Sequence, residues 1–229
     1  MEIELNKIYC MDCLEGMKHL EDNSVDLVVT DPPYNLNKGF DNDNLLEEDY
    51  VSFLVPCLNE IGRISKAKNP IIIFFDSGKN LKLFWLSFLK TKLHFQRHCT
   101  LYKQNDCSYP HNRTLRTSEA FLIVSKTPEL SSEGEKYIHD CLISNYGFME
   151  RWSHPSAKPI GIIREIILAH SIANNTVLDP FMGSGTTALA CKQLNRNFIG
   201  FEINQEYVDI ANRRLAQETL KSGGWLDGK

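Results

Sequence analysis

The chain has 229 residues, 42% hydrophobic and 24% charged, with a formal net charge of -4. That length suits one α/β domain with a substantial core, and the charge excludes a polyanion binder that works by net charge alone. Seven cysteines make no even disulfide framework, no cationic-then-apolar leader opens the chain, and no apolar run approaches the ~20 residues that cross a bilayer, so reduced thiols, a cytoplasmic location and no membrane partner are expected.

Short β-branched runs alternate with longer runs at helical spacing, the signature of a mostly parallel sheet flanked by helices. A strand is expected over 3–9 and a short helix over 14–20. Cys10 and Cys13 make a CxxC, but no second Cys or His pair follows at zinc spacing, so no metal site is expected. Residues 25–30 read as a buried strand that runs into Asp31-Pro32-Pro33-Tyr34. A helix over 47–64 has Val51, Leu54, Val55, Leu58 and Ile61 at helical spacing, with Pro56 expected to kink or shorten it. Then come a strand over 70–75, a helix near 79–89, and strands over 95–102 and 120–125. The pattern blurs over 127–153 and becomes helical again over 159–169. The segments 177–179, 185–194, 198–201 and 205–218 run strand, helix, strand, helix, and 222–229 reads as a frayed tail.

Two turns carry the chemistry. The later one, Asp179-Pro180-Phe181-Met182-Gly183-Ser184-Gly185-Thr186-Thr187, leads a strand into a helix. Its glycines let backbone approach a ligand, and the helix start offers unpaired N–H groups. A dinucleotide fingerprint would need Gly at position 188, which is Ala188, and a phosphate loop would need Lys after Gly185. The carboxylate of S-adenosylmethionine (SAM) suits the helix start, with the hydroxyls of Ser184, Thr186 and Thr187 assisting. Glu202, closing the next strand, is placed to accept from two ribose hydroxyls. In the earlier turn, two prolines fix an extended backbone and remove two donors. The Asp31 carboxylate and the Pro32 carbonyl then form an acceptor edge for an exocyclic amino group, and Tyr34 can stack on a base drawn out of its duplex. Either turn alone is a strand followed by a turn; their pairing describes one pocket.

That pairing, with the acceptor motif first and the donor motif last, resembles the β class of amino-DNA methyltransferases, the kind found in restriction-modification systems. His154-Pro155-Ser156-Ala157-Lys158-Pro159 resembles the family's HPxxKP segment, and Met11-Asp12-Cys13-Leu14 its G-D-x-L with Met in place of Gly. The resemblance implies a Rossmann-like, SAM-dependent methyltransferase fold with circularly permuted motif order in a single domain, 1–229. It implies SAM held among Asp12, Asp31, Lys158, Asp179, Phe181, Gly183, Gly185, Thr187 and Glu202, with Asp12 on the adenine amino group of the donor. Asp31, Pro32 and Tyr34 would carry direct in-line methyl transfer to adenine in double-stranded DNA. The Asp of the DPPY motif leans toward adenine over cytosine, and the sole Pro-Cys pair, Pro56-Cys57, lies inside an expected helix, which argues against a cysteine nucleophile.

Between Lys90 and Lys126 stand seven basic residues (Lys90, Lys92, Arg97, Lys103, Arg113, Arg116, Lys126) against Asp106 and Glu119. Within this stretch Lys103, Asn105, Tyr109, His111, Asn112, Arg113 and Arg116 are candidates for phosphates and base edges. A short target-recognition insertion is expected over about 127–153, and a loop over 36–44 is expected to close on the base. A homodimer and a companion restriction endonuclease are the further partners this resemblance admits. A silent nucleic-acid-binding subunit, an RNA or protein methyltransferase, and a nicotinamide dehydrogenase are the alternatives. Intact Asp31, Tyr34 and Glu202 weigh against the first, Asp in place of Asn at position 31 against the second, and Ala188 against the third.

Overall fold

Apolar residues on alternate sides of the strands send two hydrophobic layers in opposite directions, and this decides the architecture. A computed structural model describes residues 1–37, 42–76, 78–103, 108–111, 114–116, 118–131, 133–144 and 158–222, with backbone alone for 108–111, 114–116 and 218–222. In chain order the elements are β1 (Lys7–Cys10), α1 (Cys13–Met17), β2 (Leu27–Thr30), α2 (Glu47–Ile64), β3 (Ile71–Phe75), α3 (Leu81–Phe88), β4 (His94–Lys103) and β5 (Ser108–His111). They continue as β6 (Thr114–Arg116), β7 (Ser118–Ser125), β8 (Cys141–Ser144), α4 (Ile160–His170), β9 (Thr176–Asp179), α5 (Thr186–Gln193), β10 (Asn197–Glu202) and α6 (Gln205–Ser222).

Eight strands form one sheet in the order β1-β10-β9-β2-β3-β7-β4-β8. From β1 to β3 every pairing is parallel, β7 runs antiparallel to both its neighbours, and β8 is parallel to β4. Val28, Ile71, Ile73, Leu178 and Ile199 point to the face covered by α1, α2 and α3. Leu27, Val29, Ile72, Val177 and Phe198 point to the face covered by α4, α5 and α6. Both faces are dry, which is why β2 and β3 read as unbroken apolar runs. This is the doubly wound, mostly parallel sheet flanked by helices expected from the pattern.

Several elements depart from expectation, among them β5 and β6, where no strand is expected. β1 begins at Lys7 because Asn6 takes a left-handed turn (φ 62°) and ties itself by backbone and side chain to Phe198. The helix α2 runs through Pro56 unbroken, since its buried stripe from Tyr50 to Ile64 holds the segment against the sheet. The blurred stretch contains β8, an edge strand with Leu142 and Ser144 buried and Cys141 and Ile143 exposed. Residues before it are fastened to the scaffold: Ser131 N–H donates to Lys68 O at 2.8 Å, Glu135 N–H to Leu168 O at 2.8 Å, and Arg196 Nη2 to Glu135 Oε1 at 2.6 Å. Residues 145–153 of the expected insertion, and 223–229 of the expected tail, lie outside the described residues. Among the described residues no helix is long and apolar enough to cross a membrane.

Candidate active site

The strands that carry the two motifs lie side by side. β2 pairs with β9 through Leu27↔Val177 and Val28↔Leu178. Asp26 clamps the register, its backbone N–H donating to Thr176 O at 3.0 Å and its Oδ2 accepting from Thr176 N–H at 2.9 Å. All strands from β1 to β3 point the same way, so their C-terminal ends form one edge, the usual ligand edge of open α/β sheets. Acids stand at each end: Asp12 after β1, Glu202 closing β10, Asp179 closing β9, Asp31 after β2 and Asp76 after β3. β7 and β4 reach the same edge with Glu119 and Lys103, since Phe75 pairs with Ala120 and Tyr102 with Ser118.

The acceptor turn is held from three sides. Tyr50 hydroxyl, on α2, donates to Pro33 O at 2.8 Å. Asn80, before α3, donates from Nδ2 to Tyr34 O at 2.9 Å and Asn35 O at 2.5 Å, and is itself anchored by Asp76 Oδ2 accepting its N–H at 3.0 Å. The carbonyls of Pro33, Tyr34 and Asn35 are thus engaged, whereas among the described residues nothing donates to Pro32 O. Asp31 Oδ1 accepts the Tyr34 hydroxyl, and Oδ2 accepts Lys158 Nζ. Burial, then the Asp31 charge, pushes the Tyr34 phenol well above its ordinary range, so it stays a neutral donor.

Lys158 is the hub of this half. Its side chain is 9% exposed, 3.4 Å from Tyr34 hydroxyl and 3.5 Å from Glu119 Oε2. Its ammonium lies 5.1 Å from the Phe74 ring centre and 5.5 Å from that of Tyr34. Glu119 also pairs with Lys103.

The donor turn is tightly self-bonded. Asp179 Oδ1 accepts Phe181 N–H at 3.1 Å and Oδ2 accepts Thr187 Oγ1 at 2.6 Å. Burial, partly offset by those bonds, pushes its carboxyl up to about 7, helped by the Asp31 and Glu202 charges. Gly183 and Gly185 have φ of 51° and 82°, and a Cβ on Gly185 would stand 2.6 Å from Ala211 Cβ. Met182 N–H donates to Phe201 O at 2.9 Å, Gly183 N–H to Glu202 Oε2 at 2.8 Å, and Asn204 N–H to Glu202 Oε1 at 2.9 Å. The helix α5 then starts from Gly185 with no side-chain cap. Asp12 caps α1, its Oδ1 accepting Leu14 N–H at 2.9 Å and Glu15 N–H at 3.1 Å, next to Glu202 because Met11 N–H donates to Glu202 O at 3.0 Å.

The geometry also gives the partners of several other expected site residues. The hydroxyls of Ser184 and Thr186 are buried against Arg214, whose Nη1 lies 3.1 and 3.3 Å from them and 2.5 Å from Ser184 O, and Thr187 is turned to Asp179. These bonds fasten the donor turn to α6 and to the end of β9. Lys103 is paired with Glu119 at 15% side-chain exposure. Of the other DNA candidates, Tyr109 and His111 fall in β5 and Arg116 in β6, strands paired through Ser108↔Arg116 and His111↔Thr114, while Asn105, Asn112 and Arg113 lie outside the described residues. The 36–44 loop is pinned at its base by Asn35 with Leu45 and by Leu36 with Asp43; 38–41 lie outside the described residues. Asn80, Tyr50, Glu119 and Arg214 escaped the sequence reading, and only Glu119, an acid in a basic stretch, left a signal there.

The residues fit SAM on chemical grounds: an edge of carboxylates suits a sulfonium cation, and an uncapped helix start suits its carboxylate. Residues 25–213 match the family described as DNA methylase, the N6/N4 methyltransferases. The type II methyltransferase M.HpaI of Haemophilus parainfluenzae is 30% identical over 234 residues, covering 93% of this chain and 74% of its own length. The crystal structure of the M1.HpyAVI–SAM complex is similar with a TM-score of 0.68 at 28% identity, covering 91% of this chain and 98% of that one. The PvuII DNA methyltransferase, cytosine-N4-specific, shares the fold with a TM-score of 0.78 at 18% identity, over 96% of this chain and 92% of that one. The chain belongs to the N6/N4 DNA methylases, SAM-dependent enzymes that methylate an exocyclic amino group at specific sites in DNA, and its acceptor motif precedes its donor motif as in the β class.

Proposed function

We propose that the acceptor is the exocyclic amino group of adenine in double-stranded DNA. The observation that carries this reading is the acceptor edge: the Pro32 carbonyl, without a donor among the described residues while its three successors are engaged, stands beside the Asp31 carboxylate. Two acceptors match the two N–H groups of a planar amine, and holding both draws the nitrogen lone pair out of ring conjugation. Tyr34, once its hydroxyl leaves Asp31, presents its ring to the flipped base. SAM supplies an electrophilic methyl on a sulfonium. Phe181, Gly183, Gly185, Glu202, Asp12, Asp31 and Lys158 are the residues proposed to hold it. Glu202 accepts one backbone N–H per oxygen, and a carboxylate has room for about four bonds, so ribose hydroxyls can join. The protein's contribution is orientation and electrostatics, with no covalent enzyme intermediate.

Asp31 favours adenine over cytosine through its resemblance to the DPPY form of the motif, and the likeness to a cytosine-N4 enzyme is one of fold at 18% identity. A companion restriction endonuclease, supported by the type II relative, and a second copy that shares target recognition belong to the same reading. Transfer of labelled methyl from SAM to unmethylated genomic DNA, followed by nucleoside identification, tests it. N6-methyladenine is expected; N4-methylcytosine would keep the mechanism and overturn the base.

A further inference from the structure

The acceptor turn has to keep its backbone still while its own tyrosine moves. When the Tyr34 ring turns to a flipped base, its hydroxyl leaves Asp31, and the turn loses a side-chain bond that closes it on itself. Its carbonyls are then held from outside, by Tyr50 on Pro33 O and by Asn80 on Tyr34 O and Asn35 O. Asn80 alone of these two grips the residue that moves.

We infer that Asn80 is a positioning residue for methyl transfer, a clasp that fixes the Tyr34 backbone, and with it the Pro32 carbonyl, while the Tyr34 side chain swings. The inference deepens the reading of this turn as the acceptor edge and rests on it. The side-chain amide of Asn80 has two N–H groups and meets two carbonyls, Tyr34 O at 2.9 Å and Asn35 O at 2.5 Å. Successive carbonyls of extended backbone point opposite ways. These two face one donor because Asn35, between them, is in the left-handed region at φ 58°, where they align as in a helix. The Asn35 side chain is itself fixed, Nδ2 donating to Leu45 O at 2.9 Å and Oδ1 accepting Leu45 N–H at 2.6 Å.

Rigid elements hold Asn80 in turn. Its N–H donates to Asp76 Oδ2 at 3.0 Å, after β3, and its carbonyl accepts Leu83 N–H at 3.0 Å and Phe84 N–H at 3.3 Å in the first turn of α3. Asn just before a helix commonly turns its side chain onto the free N–H groups of the first turn. Asn80 occupies that place, yet α3 has no side-chain cap. The amide is committed to the acceptor turn and not to its own helix. Without it, rotation of Tyr34 is free to drag the backbone two residues after Pro32, and a misplacement of about 1 Å can cost about a hundredfold in rate.

Single-turnover methyl transfer to unmethylated genomic DNA, at saturating SAM and DNA with the full-length protein, tests this beside SAM affinity by calorimetry. Asn80→Ala is expected to transfer about ten- to a hundredfold more slowly and to bind SAM within about twofold of wild type. Asn80→Asp keeps the size of the side chain but removes both donors, and is expected to be at least as slow as Asn80→Ala. A rate within about twofold of wild type in either variant overturns the inference, and so does a loss of SAM affinity as large as the loss of rate, which would mark a merely structural role. If Asn80→Ala fails to fold, Asn80→Ser, too short to reach Tyr34 O, takes its place with the same outcomes. An active Asp31→Ala would instead sink the reading of the turn as acceptor, so the two failures are told apart.

Discussion

Arg214 offers the sharpest test of how the donor turn is held. Its Nη1 reaches Ser184 O at 2.5 Å, Ser184 Oγ at 3.1 Å and Thr186 Oγ1 at 3.3 Å, and the residue is 6% exposed. A hydrogen bond to a charged group contributes about 1.5–3 kcal/mol, and the three acceptors share one nitrogen, so they count as one to two such bonds. Truncation to Ala also removes packing between α6 and the turn, for a total near 3–5 kcal/mol. A domain of this size has a stability of about 5–15 kcal/mol, so Arg214→Ala is expected to fold with a much lower urea midpoint. The turn sets the direction of the α5 N–H groups, and the expected loss of SAM affinity is about ten- to a hundredfold, read by calorimetry. Arg214→Lys keeps a cation but reaches one acceptor, and should fall between the two. Unchanged SAM affinity in an Arg214→Ala protein that has lost several kcal/mol of stability would show that the turn holds its shape without the arginine, and would refute the reasoning.

Asp179 and His170 make opposite contributions to the pH dependence of stability. Burial raises Asp179 to about 7, so the folded state binds a proton the unfolded chain has released, and stability falls as pH rises from about 4 to about 7. Burial lowers His170 to about 4, so its contribution rises with pH between about 4 and 6.5. Urea melts of Asp179→Asn should therefore show stability climbing over that window more steeply than wild type; parallel profiles would refute the assignment. Asp31→Ala should reduce turnover by more than about a hundredfold and keep SAM binding within about tenfold, and retained turnover would remove Asp31 from the chemistry. Lys103→Ala should lower the Tm and leave the salt dependence of DNA binding unchanged, because the lysine is paired with Glu119; a shallower slope by about one unit would return it to the phosphate contacts.

What could be read from the sequence was whatever the chain encodes locally. β2, β3 and β9 announced themselves because both faces are buried, and the two turns because Pro and Gly restrict backbone in ways side chains cannot imitate. β8 stayed hidden because four residues with Cys141 and Ile143 exposed make too short a pattern, and β5 because Pro110 sits inside it. Contacts between distant residues were invisible: Lys158 meets Asp31 across 127 positions, and Arg214 meets Ser184 across 30. Lys103 meets Glu119 across 16 positions, a pairing that a count of charge along the chain does not show.

The order of charges along the sheet edge reconciles two ligands of opposite sign. Asp12, Glu202 and Asp179 stand at the ends of β1, β10 and β9, where a sulfonium gains from negative potential. A DNA strand brought over that row would be repelled. From β2 onward the negative charge is partly offset: Asp31, Asp76 and Glu119 are met by Lys158, between Asp31 and Glu119, and by Lys103 on the far side of Glu119. A base bound at the acceptor turn, as proposed, would meet a less negative half-edge, and the boundary between the halves falls at the β9–β2 junction. That junction joins the two motifs through strand pairing and not through chain order, so either motif can come first in the sequence without moving the methyl donor relative to its target.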